Sequence, residues 1–183
     1  HLPTRRQRQM CIRDRMMKYE WPLILPDNNS VRLLSENTYD IDEYIVDISK
    51  NEGLVEGMQP LDGGISLHLA CHSRAQNMGA KSNELLKLIP DADISIVERC
   101  SGHGGTFGVL SPTHDLARKV GKPAARQVAK VDPSFVISSC PLASKHLSQI
   151  TKEDIIKGNE KSQIKSGHPI ELMAVSYGFL NKD

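Results

Sequence analysis

Residues 65–71, ISLHLAC, alternate apolar and polar side chains and end on a cysteine. An alternation with a period of two is typical of a β-strand that buries one face. A helical pattern follows over residues 74–89, where Ser82 is expected to cap a helix that contains Leu85 and Leu86. A strand followed by a helix is the repeating unit of α/β proteins, so this stretch predicts an α/β fold.

The same strand–helix pattern occurs twice more along the chain. Residues 93–97, DISIV, form a β-branched run, and residues 134–140, SFVISSC, predict a third strand followed by a helix to about residue 150. Strands that alternate with helices favour right-handed crossovers and a common strand direction. We therefore predict a single Rossmann-like domain, with a mostly parallel sheet flanked by helices in three layers.

The helix boundaries follow from proline and glycine signals. Ser111-Pro112 predicts a helix start, Gly121 is expected to close that helix, and Pro123 is expected to begin another that ends near Lys130. A final helix is expected from Pro169. Upstream, residues 21–26, WPLILP, are interrupted by proline and are expected to be extended.

The first fifteen residues, HLPTRRQRQMCIRDR, are basic and lack the apolar run of a signal peptide. Such a segment is also typical of a disordered basic arm or a nucleic-acid-binding tail. We favour a third interpretation, because TRRQRQMCIRDR resembles the translation of a transposase-type sequencing-library adapter. Residues 1–15 are therefore expected to be non-native, and residues 16–60 to be a lead-in from a missing upstream module.

Composition excludes several classes of protein. Residues 1–15 hold five arginines and one aspartate, so the 23 basic and 22 acidic residues of the chain become 18 and 21 without them. This mild negative charge indicates no nucleic-acid partner. No apolar run approaches the roughly 20 residues of a transmembrane segment. The cysteines that remain, in a chain without a secretion signal, favour free thiols, metal ligation or a redox role over a disulfide framework.

Cys71, Cys100 and Cys140 each lie at, or a few residues past, the C-terminal end of a predicted strand. The carboxyl ends of parallel strands share one edge of the sheet, where ligand crevices form, so we expect the three thiols to converge there. Thiolates are soft ligands that suit iron–sulfur clusters or zinc. The alternative is that each cysteine is a small buried apolar residue.

A glycine-rich loop follows the second strand, over residues 100–108, CSGHGGTFG. Gly102, Gly104 and Gly105 allow positive φ and a close backbone approach. Successive N–H groups in such a loop form an anion-binding nest, which is a known feature of iron–sulfur sites, so these glycines are expected to contact the cofactor. A nucleotide phosphate is an alternative ligand, although the G-x-G-x-x-G spacing and the lysine of a P-loop are both missing.

Four histidines lie near the predicted strand ends. His72 and His103 are adjacent to the proposed ligands and are expected to support the cofactor by hydrogen bonding, by ligation or by proton transfer. His68 lies within an alternating strand and is expected to be structural. His146 is expected on the helix that follows Cys140.

Three motifs, LHLACHSR, RCSGHGGTFG and SSCPLASKH, resemble the cysteine-rich CCG domain of iron–sulfur oxidoreductases. That domain occurs in heterodisulfide reductase, in anaerobic glycerol-3-phosphate dehydrogenase and in glycolate oxidase, in each case in an iron–sulfur subunit. The segments NTYDIDEYIVDI and HPIELM are similar to the glycerol-3-phosphate dehydrogenase branch. The resemblance covers nearly all of residues 16–183 and implies that residues 61–183 are the second of two CCG modules, downstream of a ferredoxin-like module.

The resemblance also implies a ligand set. Cys71, Cys100 and Cys140 would hold one cluster, expected to be [4Fe-4S], with the fourth iron position open or filled by His72, His103 or a group from the missing module. The chain departs from the family pattern at two places, because Ser101 and Ala143 stand where that pattern has further cysteines. The double-cluster chemistry of heterodisulfide reductase is therefore not expected.

The function implied by the resemblance is electron transfer within a larger oxidoreductase, as a component rather than a complete enzyme. The expected partners are a flavoprotein dehydrogenase subunit or the ferredoxin-like module, and a quinone or another carrier. The expected location is the cytoplasm, with peripheral association with a membrane complex at the cytoplasmic face of the inner membrane. The alternatives are a Zn²⁺-binding or metal-free interaction module, and a catalytic iron site with His103 as the proton donor.

Overall fold

The computed structural model describes residues 16–75, 80–156 and 164–180. Their strands form one parallel sheet in the order β2-β1-β3-β4, which confirms the predicted α/β fold. The three predicted strands are present, and a fourth was missed because its three residues are too few to show a period. The strands are β1, Ile65–His68; β2, Ile94–Val97; β3, Phe135–Ser138; and β4, Lys165–Gly167.

Helices precede the sheet and connect its strands. Short π-helical segments occupy Met16–Glu20 and Thr151–Ile156, and a 3₁₀ turn occupies Gly105–Gly108. In the part of the chain that the structure describes, no helix is both long enough and apolar enough to span a bilayer. The α-helices are α1, Trp21–Ile24; α2, Asn29–Glu36; α3, Ile41–Asn51; α4, Cys71–Ala75; α5, Lys81–Leu86; α6, Ser111–Lys130; α7, Pro141–Ile150; and α8, Pro169–Ser176.

An apolar core lies on each face of the sheet. Because side chains alternate along a strand, β3 supplies Ile137 to one core and Val136 to the other. Helices α5 and α8 cover the first face, and α6 and α7 cover the second, which gives the predicted three layers. The first core contains Leu61, Ile65, Leu67, Leu86, Ile89, Ile137 and Leu172; the second contains Val97, Ala124, Val128, Val136, Leu147 and Ile164.

The prediction of two helices between residues 111 and 130 was wrong. Helix α6 is continuous and contains both Gly121 and Pro123. Gly121 lies inside it because the helix touches the loop at Ser101 there, where a Cβ on Gly121 would come within 2.4 Å of the Ser101 carbonyl oxygen. Pro123 removes one backbone N–H from the helix. The fully buried Ala124 beside it packs in the second core and holds the helix on the sheet.

The lead-in differs from its prediction in one place. Residues 21–24 form a helical turn, α1, rather than an extended segment, because Pro22 lies in the first turn, where no backbone N–H is required. No side chain of residues 16–36 is buried, so this segment has little contact with the sheet domain. Residues 1–15, which we expect to be non-native, lie outside the described residues.

Candidate metal centre

The three cysteines occupy equivalent positions on one edge of the sheet. His68, the last residue of β1, lies opposite Val97 at the end of β2 and opposite Ser138 at the end of β3. Cys71 and Cys100 each follow their strand end by three residues, and Cys140 follows by two. Because all strands run parallel, these positions share the carboxyl edge.

The strand order places a switch point between β1 and β3. The chain adds β2 on one side of β1 and then crosses to add β3 on the other side. In open α/β sheets, ligands bind in the crevice outside the carboxyl ends of the strands at such a point. Cys71 and Cys140 follow the two strands that flank it.

Each cysteine has a different backbone setting. Cys71 is the first residue of α4, and Cys140 precedes α7 as its N-cap residue, so both lie where helical N–H groups have no partner within their own helix. Cys100 lies in the loop after β2. All three thiols are free, with Cys71 and Cys100 exposed and Cys140 partly buried.

Two neighbours donate hydrogen bonds to the sulfurs. The Gly102 backbone N–H donates to Cys100 Sγ over 3.4 Å. The Arg74 guanidinium donates to Cys71 Sγ over 3.7 Å and to the Glu98 carbonyl oxygen over 3.1 Å. Arg74 therefore connects the Cys71 segment with the residues that precede Cys100, and it places a positive charge beside the Cys71 sulfur.

The glycine loop adopts the positive φ values that its sequence predicts. Gly102, Gly104 and Gly105 have φ of 76°, 50° and 68°. A Cβ on Gly102 would lie 2.2 Å from the Ala117 carbonyl oxygen, so this glycine allows the loop to press against α6. Close packing thus explains Gly102 directly, while a contact between these glycines and a cofactor stays a prediction.

The histidines at and after the ends of β1, β2 and β3 divide into three groups. His68 is buried and hydrogen-bonded, as expected of a structural residue. His103 is also buried, and its ring lies edge-on to that of His146, with centroids 5.6 Å apart. His114, which sequence reasoning missed, also lies edge-on to the His146 ring, with centroids 6.0 Å apart. His72 is in α4, and its side chain lies outside the described residues.

Burial lowers the pKa of the His146 imidazole, against a smaller raising effect from a hydrogen bond with the Ala117 backbone. Its Nε2 atom is buried without a hydrogen-bond partner. An ordinary histidine has a pKa of about 6.5 in an unfolded chain. A pKa below that value in the folded protein means that the unfolded state takes up the proton first, so protonation favours unfolding.

We therefore expect His146 to make the protein less stable in acid. The stability that the neutral imidazole contributes should be fully present above about pH 6.5. It should be lost as the pH falls from there through the folded-state pKa of His146. The measurement is the free energy of urea unfolding at pH 7.5 and 5.5 for the wild type and for His146→Gln. The variant should lose less stability between the two pH values, and an identical loss in both proteins would contradict this.

The chemistry of the three free thiols suits a thiophilic metal or an iron–sulfur cluster. Two of the sulfurs also accept hydrogen bonds from N–H groups, as the sulfurs of such sites do. Among residues 16–75, 80–156 and 164–180, no three His, Cys, Asp or Glu side chains are grouped closely enough to hold a metal ion as they stand. The ligand set of Cys71, Cys100 and Cys140 therefore stays a prediction, which requires the three free thiols to move closer together on binding.

Comparison with known proteins identifies several relatives, some of which are named as iron–sulfur proteins. An uncharacterized iron–sulfur protein of Methanocaldococcus jannaschii is 35% identical over 115 residues, which is 62% of this chain and 22% of that protein. A fumarate reductase (CoM/CoB) subunit from Methanothermobacter marburgensis is 26% identical over 145 residues, or 77% of this chain and 27% of the relative. A probable iron–sulfur-binding oxidoreductase of Bacillus subtilis is 27% identical over 141 residues, which is 73% of this chain and 19% of that protein.

These relatives confirm the predicted resemblance at the level of iron–sulfur oxidoreductases. The chain spans about a fifth to a quarter of the length of these three proteins. No protein-family model and no solved structure matches it.

Proposed function

We propose that this chain, which is related to iron–sulfur oxidoreductases, is an electron-transfer module that holds one iron–sulfur cluster between Cys71, Cys100 and Cys140. The observation that carries the proposal is the placement of the three cysteines at matching positions after β1, β2 and β3. Two of them flank the switch point of the sheet. A bound cluster would supply one-electron redox chemistry at this edge.

The residues around the thiols have the properties that such a site requires. Hydrogen bonds to sulfur and nearby positive charge tune the reduction potential of a cluster. The Gly102 N–H provides a hydrogen bond to Cys100, and the Arg74 guanidinium provides a positive charge beside Cys71. The exposure of Cys71 and Cys100 leaves the site open to a redox partner at the protein surface. His72 and His103 belong to the proposal as supports of the same centre.

The finer assignments extend the proposal from the family resemblance. Residues 61–183 would be a CCG module, and the cluster would be [4Fe-4S]. The electron donor would be a flavoprotein dehydrogenase subunit or a ferredoxin-like module, and the acceptor a quinone or another carrier. The module would act in the cytoplasm, in peripheral association with a membrane complex.

The test is anaerobic reconstitution of the full chain with iron and sulfide, with Zn²⁺ in a parallel sample. We expect a brown protein with broad visible absorption, which dithionite bleaches, and iron and acid-labile sulfide in stoichiometric amounts per chain. A colourless protein that takes up stoichiometric Zn²⁺ and no iron would replace this proposal with a zinc-binding interaction module. A chain that takes up neither would overturn both.

A further inference from the structure

We infer that His68 is a positioning residue that fixes the Cys100 and Cys140 segments relative to each other for metal binding. The inference rests on the proposed metal centre and assigns the protein group that organises it. His68 ends β1, which lies between β2 and β3, and is 1% exposed. Its ring bridges the two neighbouring strand ends.

The hydrogen bonds of His68 define the direction of each contact. Nε2 lies 3.0 Å from the Arg99 carbonyl oxygen, which can only accept, so Nε2 carries a hydrogen. In the neutral imidazole Nδ1 then accepts, and the Ser138 hydroxyl donates to it over 3.1 Å. The same hydroxyl oxygen accepts the Cys140 backbone N–H over 3.3 Å.

A continuous hydrogen-bonded path therefore joins two of the proposed ligands. It runs from the Arg99 carbonyl, adjacent to Cys100, through the His68 ring and the Ser138 hydroxyl to the Cys140 N–H. Because the imidazole is rigid and buried, it sets the spacing of these segments more narrowly than a flexible side chain would. Both ring nitrogens are engaged with protein atoms, so His68 acts through its neighbours and not as a metal ligand.

A second contact brings the remaining cysteine into the same arrangement. The hydroxyls of Ser73 and Ser139 are 2.8 Å apart and buried. Ser73 lies two residues after Cys71, and Ser139 directly precedes Cys140. Burying polar groups is costly unless they are hydrogen-bonded, and a satisfied network favours one arrangement over others. This network, His68, Ser73, Ser138 and Ser139, lies where the three cysteine segments leave the sheet.

The test measures Co²⁺ binding by the full-length apo protein, because the thiolate-to-cobalt charge-transfer band reports thiolate ligands without requiring a cluster or any activity. We expect His68→Leu and Ser138→Ala to weaken Co²⁺ binding at least about tenfold, as is usual when support of a metal ligand is lost. His68→Gln should rescue part of the affinity. The matched control is Ser144→Ala, which removes a buried hydroxyl bonded to the Pro141 carbonyl outside the network.

The outcomes separate this inference from the proposed function. Variants that bind Co²⁺ as tightly as the wild type would overturn the role of His68, whatever the iron content. A wild type without a thiolate–cobalt band would overturn it too, since no gathered thiols would exist to position. A cobalt band that weakens in the variants, in a wild type that assembles no cluster, would support the role and contradict the electron-transfer proposal. If His68→Leu does not fold, Ser138→Ala and Ser73→Ala decide the question.

Discussion

Cys100→Ala should remove most of the iron that the reconstituted chain binds, whereas His103→Ala should leave most of it in place. A thiolate is the preferred ligand of an iron–sulfur cluster, and removing one of three leaves an incomplete set. His103 is buried against the ring of His146, so its loss should act mainly on the packing of the glycine loop. The measurement is iron and acid-labile sulfide per chain after anaerobic reconstitution.

Cys11→Ala is the matched control for this pair. Cys11 lies in the segment that we expect to be non-native, so its removal should leave the iron content unchanged. Equal iron content in Cys100→Ala and His103→Ala would contradict the assignment of Cys100 as a ligand. Loss of iron in Cys11→Ala would contradict the exclusion of residues 1–15 from the site.

Gly102→Ala should be among the most destabilising single substitutions in the chain. Gly102 has a φ of 76°, and its new Cβ would lie 2.2 Å from the Ala117 carbonyl oxygen and 2.7 Å from the Gly121 nitrogen. Both are backbone atoms of α6, which cannot rotate away. Positive φ costs a non-glycine residue about 1–2 kcal/mol, and overpacking adds about 1–3 kcal/mol, so we expect a loss of about 3 kcal/mol or more.

Gly53→Ala separates the two causes. Gly53 has a similar φ of 79°, but nothing lies within 4 Å of the position that a Cβ would take there. This variant should therefore lose only the cost of positive φ, about 1–2 kcal/mol of unfolding free energy. The free energy of urea unfolding gives both values. Equal losses in Gly53→Ala and Gly102→Ala would show that the loop does not press against α6 as described.

The features that the sequence predicts well are local ones. The alternating pattern of residues 65–71 and the β-branched run before Cys100 lie within single segments, so they locate β1 and β2 without knowledge of their neighbours. The alternation does not predict burial, because both faces of β1 are buried, with Ser66 and His68 among the buried residues. The parallel connection rule then places Cys71, Cys100 and Cys140 at one edge. The predicted positive φ of the glycine loop is local in the same sense.

The features that the sequence does not predict depend on contacts between distant segments. In the sequence, Gly121 is typical of a helix end. In the structure it lets α6 approach Ser101, which lies twenty residues earlier. The pairing of His68 with Ser138 depends on the register between β1 and β3. His114 joins His146 only because α6 and α7 pack side by side. None of these contacts joins residues at a fixed spacing in the sequence, so no sequence pattern predicts them.

Cysteine footprinting tests the central claim most directly. The apo and cluster-loaded chains are alkylated without unfolding, and the modification of each cysteine is measured by mass spectrometry. Cys71, Cys100 and Cys140 should be protected together, in proportion to bound iron, while Cys11 reacts equally in both samples. If any one of the three reacts as fast in the fully loaded protein as in the apo protein, the shared metal centre is contradicted.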